Sequence, residues 1–180
     1  YDVRTGALRW TFHVVPRPGD PGIESWEQRS WRDTGSAKAW SLMSADDELG
    51  AVYVPLSSAA NEWYGGERPG ANLYSDSLVC LDARTGERKW HFQMVHHDVW
   101  NYDTPTAPVL MDVNVNGREV KGIFQTTKQV FVYALDRATG QPIWPIVERP
   151  VPQSTVPGEK LSATQPFPTR PAAYDLQGRQ

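Results

Sequence analysis

Eight consecutive residues, 96–103, read HHDVWNYD and bring together two imidazoles, two carboxylates, an amide and two aromatic rings. Such a set can serve acid–base catalysis, bind a metal ion or form only a polar turn. A zinc site is disfavoured because the two histidines are adjacent, so their rings point in opposite directions on an extended chain. From the residues alone, the simplest interpretation is a turn whose aromatic rings fill a groove and whose carboxylates cap backbone amides.

Three segments that flank this loop share the pattern apolar-Asp-x-x-Thr-Gly-x-x-x-Trp. They are YDVRTGALRW at residues 1–10, LDARTGERKW at 81–90 and LDRATGQPIW at 135–144. Each predicts a strand and a turn, with Gly where a positive φ is needed and Trp anchoring the returning strand. Self-similarity at fixed positions indicates a repeat architecture.

Period-2 apolar patterns place four strands in each of two successive units. In the first unit the predicted strands are 39–44, 51–56, 76–82 and 87–94, with a long polar insertion at 57–75. In the second unit they are 106–113, 120–127, 129–136 and 141–148, with Asn116-Gly117 as a hairpin turn. Four antiparallel strands in a unit of roughly 50 residues are typical of a β-propeller blade.

The predicted fold class is therefore all-β, with about two four-stranded antiparallel blades plus one outer strand of a larger propeller. Two blades cannot close a ring, and an open array would leave strand edges unpaired. The predicted organisation is a blade end, an insertion loop, a blade, an active-site loop, a second blade and a Pro-rich connection. These span residues 1–15, 16–38, 39–94, 95–105, 106–148 and 149–180.

The composition of the chain argues against several classes of protein. The 180 residues carry a net charge of -3 with Lys and Arg scattered along the chain, so nucleic acid is not expected as a partner. Cys80 is the single cysteine, which excludes an internal disulfide and favours a small buried apolar side chain. No run approaches the roughly 18 apolar residues of a membrane helix. The chain opens within a repeat and is expected to be a piece of a longer protein.

The combined motifs resemble one family. The repeats, the run from Trp40 through SLMSADDELGAVYVPLSSA, YGGERPG, HHDVWNYDTPTAP, Lys128 and the later PVPQ and ATQPFP cover nearly the whole chain. They are similar to pyrroloquinoline quinone (PQQ)-dependent dehydrogenases, most narrowly to the membrane-bound glucose dehydrogenase branch. The resemblance implies an eight-bladed propeller, PQQ as cofactor, and a divalent or trivalent cation, with calcium expected first and a lanthanide second.

The resemblance also implies cofactor contacts. Trp40 is expected to stack on the quinone ring, since an indole offers the largest apolar face. Lys128 is expected beside the quinone oxygens, where its charge would stabilise negative charge that develops during hydride transfer. Trp100 is expected as a further cofactor contact. The residues alone also allow a core Trp at position 40 and a solvated Lys at position 128.

Asn101 departs from the family pattern, which has the general base at this position. An amide can orient a hydroxyl group but cannot accept its proton at neutral pH. Asp103 lies on the same side as Asn101 if the segment is extended, and is expected as a displaced base, a cation ligand or a turn cap. Ser58 aligns with the family's Asn ligand, so the predicted cation ligands are Asp103, Ser58 and Asn101.

The predicted function is oxidation of a sugar such as glucose, or of an alcohol, by hydride transfer to PQQ. The predicted catalytic residues are Asn101, Asp103 and Lys128, and the expected partners are a quinone or cytochrome acceptor and the rest of the propeller. The resemblance implies a periplasmic location, with any inner-membrane attachment outside these residues. The alternative is a non-catalytic propeller that binds envelope proteins, which Asn101 and Ser58 favour and Lys128 opposes.

Overall fold

The computed structural model describes residues 1–174 and contains nine strands, all paired antiparallel, and two short 3-10 turns at Ile23–Ser25 and Glu27–Arg32. The first sheet holds, in spatial order, β1 (Ser44–Asp46), β2 (Ala51–Pro55), β3 (Ser77–Asp82) and β4 (Arg88–Gln93). The second sheet holds β5 (Val109–Val115), β6 (Arg118–Thr126) and β7 (Val132–Asp136). A separate hairpin pairs β8 (Ile146–Pro150) with β9 (Thr164–Pro168). The predicted all-β class is confirmed.

The two larger sheets pack face to face, as neighbouring propeller blades do. Their shared core includes Tyr53, Leu78, Cys80, Ile123 and Tyr133. The other face of the first sheet is covered by Trp10, Phe12 and Val14 of the N-terminal segment. Because β3 is covered on both faces, it is buried from Ser77 through Leu81, which explains its continuous apolar run.

The turn of each repeat is closed in the same way. The Asp side chain accepts hydrogen bonds from backbone amides two and three residues further on, at 2.9 or 3.0 Å, in Asp2, Asp82 and Asp136. The Gly amide donates to the carbonyl of the same Asp at 2.8 Å in all three turns. The φ angle is 70°, 75° and 73° at Gly6, Gly86 and Gly140, a region that favours glycine.

The Trp that ends a repeat contacts the turn of the next repeat. Trp10 Nε1 donates to the carbonyl of Ala83, and Trp90 Nε1 to that of Arg137, both at 3.1 Å. From the repeat pattern, this Trp was predicted to anchor its own returning strand. The structure shows that it also joins successive units, because the ring lies over the Gly of the following turn.

The second sheet differs from its predicted four strands. Asn116 and Gly117 make the predicted hairpin turn with φ angles of 53° and 83°. The fourth strand, expected at 141–148, is reduced to one bridge between Leu135 and Pro142. Pro142 and Pro145 lack the amide hydrogen that a strand ladder needs, so the chain leaves the sheet there. It then forms β8, which begins within the predicted fourth strand, and β9, which lies in the predicted Pro-rich connection.

Other boundaries also shift. Residues 1–15 contain no regular strand. The strand predicted at 39–44 begins only at Ser44. The last six residues of the predicted Pro-rich connection, 175–180, lie outside the described residues. Across residues 1–174 we find no helix with the length and apolar character needed to cross a bilayer.

Candidate active site

The HHDVWNYD loop is a compact coil rather than an extended segment. The Asp98 carboxylate accepts the backbone amides of Trp100 at 2.9 Å and Tyr102 at 2.7 Å, which folds the loop around one side chain. His97 and Asn101 have φ angles of 50° and 56°, in the left-handed region that Asn and His tolerate better than most residues. Asn101 and Asp103 are therefore placed by coiling, not by the strand alternation that the sequence predicted.

Lys128 is the point on which the loop converges. It follows the end of β6, and its Nζ donates to Asp103 Oδ2 at 2.5 Å. The same Nζ donates to the backbone oxygen of Asn101 at 3.0 Å and to its Oδ1 at 3.3 Å. The structure thus brings together the three predicted catalytic residues, Asn101, Asp103 and Lys128.

Asp103 is 7% exposed and is held from both sides. Its Oδ1 accepts the backbone N–H of Ser58 at 3.0 Å, while its Oδ2 is bonded to Lys128. The Ser58 hydroxyl faces away from this contact. It lies 2.9 Å from Asp76 Oδ1 and 2.5 Å from Asp98 Oδ2. Ser58 therefore meets Asp103 through a backbone donor and not through a ligand oxygen.

Two carboxylates compete for the single hydroxyl proton of Ser58. Burial raises the pKa of Asp76 well above its usual range and also raises the pKa of Asp98. Asp76 is fully buried, and its Oδ2 has no hydrogen-bond partner. A protonated Asp76 accounts for the arrangement, because it supplies the second proton that two hydrogen bonds to one hydroxyl require.

The polar insertion at 57–75 contains a buried side chain, Arg68, that supports the loop. Arg68 is fully buried; its guanidinium donates to the Asn61 carbonyl at 2.9 and 3.2 Å and to Asn72 Oδ1 at 2.8 Å. It also donates to the backbone oxygen of Asp98. Arg68 lies in the YGGERPG segment, but its support of the loop was not predicted. A single sequence gives no local signal that an Arg is buried.

A cleft of about 570 Å³ adjoins Lys128. Trp100 and Tyr102 stack at one side with ring centroids 5.9 Å apart and an interplanar angle of 28°. The remaining lining residues that carry aromatic or amide groups are Gln129, Phe131, Gln165 and Phe167. None of these four was predicted as a site residue. Gln165 and Phe167 reach the cleft because β9 carries them there from the predicted Pro-rich connection.

Trp40 and the histidines lie apart from the cleft lining. Trp40 precedes β1 and is 51% exposed, so its indole face is open, but it does not line the cleft. His97 Nδ1 lies 2.7 Å from the Gly70 carbonyl, and His96 Nε2 lies 3.1 Å from Glu148 Oε1. These contacts brace the loop, and the two rings do not converge on one point.

The arrangement fits a flat quinone better than it fits a cation. Lys128 supplies a positive charge beside aromatic surface, which is what a flat tricyclic quinone needs. The predicted cation ligands are engaged elsewhere: Asp103 and Asn101 by Lys128, and the Ser58 hydroxyl by two carboxylates. In the part of the chain that the structure describes, no group of three or more His, Cys, Asp or Glu side chains is arranged around an ion.

Similarity to known proteins covers the whole chain. Residues 1–180 match the family model described as the β-propeller domain of PQQ-dependent glucose, ethanol and alcohol dehydrogenases. The quinate/shikimate dehydrogenase (quinone) of Acinetobacter baylyi is 37% identical over 92% of this chain and 20% of its own length. The quinoprotein glucose dehydrogenase of Escherichia coli is 36% identical over 93% of this chain and 21% of its own length.

A solved structure shows the same likeness in three dimensions. The quinohemoprotein alcohol dehydrogenase of Comamonas testosteroni superimposes with a TM-score of 0.74 and 29% identity, over 94% of this chain and 27% of that one. The chain thus spans about a fifth of the length of the two curated relatives. With the family model matching along its full length, the chain belongs to the PQQ-dependent glucose, ethanol and alcohol dehydrogenase family.

Proposed function

We propose that the protein containing this chain oxidises a hydroxyl group of a sugar or an alcohol with PQQ as the hydride acceptor. The observation that carries the proposal is the contact of Lys128 Nζ with Asp103 and Asn101 beside the aromatic cleft. The relatives named above are dehydrogenases of glucose, of quinate or shikimate, and of alcohols, and these share oxidation at a carbon that bears a hydroxyl.

Each site residue has a distinct part in this reaction. When bound, PQQ supplies a quinone that takes up the two electrons and the hydrogen of a hydride from the substrate carbon. Asp103 accepts the hydroxyl proton, which Asn101 cannot do because its side chain is an amide. Asn101 orients the hydroxyl, and Lys128 stabilises the negative charge that develops next to it. Trp100, which lines the cleft, provides apolar surface for flat rings.

Turnover also requires that the electrons leave the site. We include a quinone or a cytochrome as the acceptor, supported by the resemblance and by the word quinone in the name of the Acinetobacter baylyi relative. We also propose that the protein is located in the periplasm, which the family resemblance supports. The rest of the propeller completes the site, since blades contact their neighbours through the docking of Trp90 and its equivalents.

Asn101 also supports a second candidate function. A propeller that has lost its base can serve as a scaffold for partner proteins without oxidising anything. Such a scaffold has no use for a Lys128 ammonium held against a buried carboxylate at the edge of a cleft. This contact favours the enzyme, and cofactor binding separates the two possibilities.

The test is reconstitution of the full-length protein with PQQ, followed by dye-linked oxidation of glucose, quinate, glycerol and ethanol. We expect stoichiometric PQQ binding and turnover of at least one of these substrates. Binding without turnover of any substrate would show that the site holds a cofactor but lacks the chemistry. Failure to bind PQQ would favour the scaffold. Lys121→Met, on a half-buried lysine of β6 that does not line the cleft, is the matched control and should behave as wild type.

A further inference from the structure

We propose that the ammonium group of Lys128 takes the place of a metal ion, so that this protein holds its quinone cofactor without calcium or a lanthanide. The inference rests on the proposed function, because it concerns the same cofactor site. It follows from what the oxygen atoms near Lys128 are already doing, and from how many charges the site contains.

The first support is geometric. Three oxygen atoms converge on Lys128 Nζ: Asp103 Oδ2 at 2.5 Å, the Asn101 backbone oxygen at 3.0 Å and Asn101 Oδ1 at 3.3 Å. Two of these are the side-chain oxygens that were predicted to bind the cation. Calcium requires six to eight oxygen ligands at about 2.3–2.6 Å. An ion bound by these oxygens would have to occupy the space that the ammonium group fills.

The second support is electrostatic. Asp103 and Lys128 carry one negative and one positive charge, and Asn101 is neutral, so the group is balanced without an added ion. A divalent ion placed beside it would bring two further positive charges next to an ammonium group. The repulsion would act at short range, because the ion would have to share Asp103 and Asn101 with the ammonium group.

The third support is that the neighbouring oxygens are committed to other donors. Ser58 turns its hydroxyl toward Asp76 and Asp98 and presents a backbone N–H to Asp103 at 3.0 Å. An N–H donor repels a cation at the position where a ligand oxygen would have to stand. Asp98 is held by the amides of Trp100 and Tyr102, so bringing it to an ion would unfold the loop.

The experiment measures cofactor and metal binding in the full-length protein, without reference to turnover. Wild-type protein is freed of metal with EDTA, and its PQQ affinity is measured from tryptophan fluorescence with EDTA or with calcium chloride. We expect the two dissociation constants to agree within about threefold, a difference of less than about 1 kcal/mol. Metal analysis of the same sample is expected to show far less than one ion per chain.

Two variants sharpen the test. Lys128→Met removes the ammonium group and should weaken PQQ binding in EDTA by at least about tenfold, with calcium restoring part of the loss. Asn101→Asp adds the missing carboxylate and should create a cation site, detected as terbium luminescence sensitised by Trp100. Lys121→Met removes a lysine of β6 that does not line the cleft, and it should change neither result.

The possible outcomes separate the two proposals. If PQQ binds neither with EDTA nor with calcium, the proposed function fails. PQQ binding that requires calcium would contradict the inference that Lys128 replaces the metal. So would a bound ion in wild-type protein that Asp103→Asn releases. Either result would leave the proposed use of PQQ intact. Equal affinity in both conditions, lost in Lys128→Met, supports the inference.

Discussion

The indole ring of Trp90 lies directly over Gly140, fifty residues further along the chain. A Cβ atom on Gly140 would stand 2.6 Å from a ring carbon of Trp90, and the indole N–H donates to Arg137 within the same turn. The Trp10 ring bears the same relationship to Gly86, at 2.5 Å. One Trp and one Gly per repeat therefore form the joint between successive blades.

Gly140→Ala is expected to destabilise the fold by about 2–4 kcal/mol, because it combines a left-handed backbone with a collision against Trp90. Gly117→Ala is the matched control. Its φ angle is 83°, but no heavy atom lies within 4 Å of the added methyl group, so about 1–2 kcal/mol is expected. Urea unfolding of the full-length protein measures both. Equal losses for the two variants would show that the Trp90 contact is not tight.

Asp103→Asn is expected to lower turnover by roughly 10²–10⁴-fold, the usual cost of removing a general base. The amide keeps an oxygen for Lys128, so PQQ affinity should change by less than about threefold. Steady-state kinetics and cofactor titration measure the two effects separately. Glu48→Gln, on an exposed carboxylate paired with Lys121, is the control. Turnover that survives within about threefold would remove Asp103 from the reaction.

His91 is expected to make the stability of the fold depend on pH in the acidic range. Burial, together with the charge of Arg88, lowers the pKa of His91 from 6.5 to about 4. The ring stands edge-on to Tyr74 with centroids 5.0 Å apart, and its Nδ1 lies 3.1 Å from an Arg88 guanidinium nitrogen. The Nδ1 atom of His91 can accept the hydrogen bond from Arg88 only while the imidazole is neutral.

Between pH 6.5 and about 4 the unfolded chain therefore binds a proton that the folded chain rejects. Stability contributed by neutral His91 is complete above pH 6.5 and declines as the pH falls toward 4, by about 1–2 kcal/mol after allowance for solvent screening. We expect His91→Gln to flatten this part of a plot of unfolding temperature against pH. Parallel plots for variant and wild type would contradict the assignment.

Arg137 links the two sheets through a nearly buried ion pair. Its Nε lies 2.6 Å from Asp46 Oδ2, with exposed side-chain fractions of 10% and 7%, and it also pairs with Asp112. Arg137→Met should cost about 3 kcal/mol, because it leaves the nearly buried Asp46 charge without a cation and with only the Leu49 amide as a partner. Lys121→Met breaks the exposed pair with Glu48 and should cost less than about 1 kcal/mol. Similar unfolding temperatures for the two variants would refute this ranking.

The repeats show what a single sequence can determine. The Asp and Gly positions predicted three turns, because both residues act through the backbone of their own turn. The docking of each Trp on the following turn was visible only in the structure. The Asn116-Gly117 hairpin was predicted for the same reason, since its geometry depends on two adjacent residues. The fourth strand of the second sheet was wrong because apolar periodicity ignores the missing amides of Pro142 and Pro145.

For the candidate site as well, some features were predicted from the sequence and others were visible only in the structure. The family resemblance singled out Asn101, Asp103 and Lys128 as site residues, with an amide at the position where the family has its base. Only the tertiary structure decided that Lys128 occupies the point where the other two meet, and that the Ser58 hydroxyl turns away from it. Contacts between residues 25 or more positions apart leave no periodic trace in one sequence, because they depend on how separate strands pack, and packing alone fixes which oxygen faces which donor.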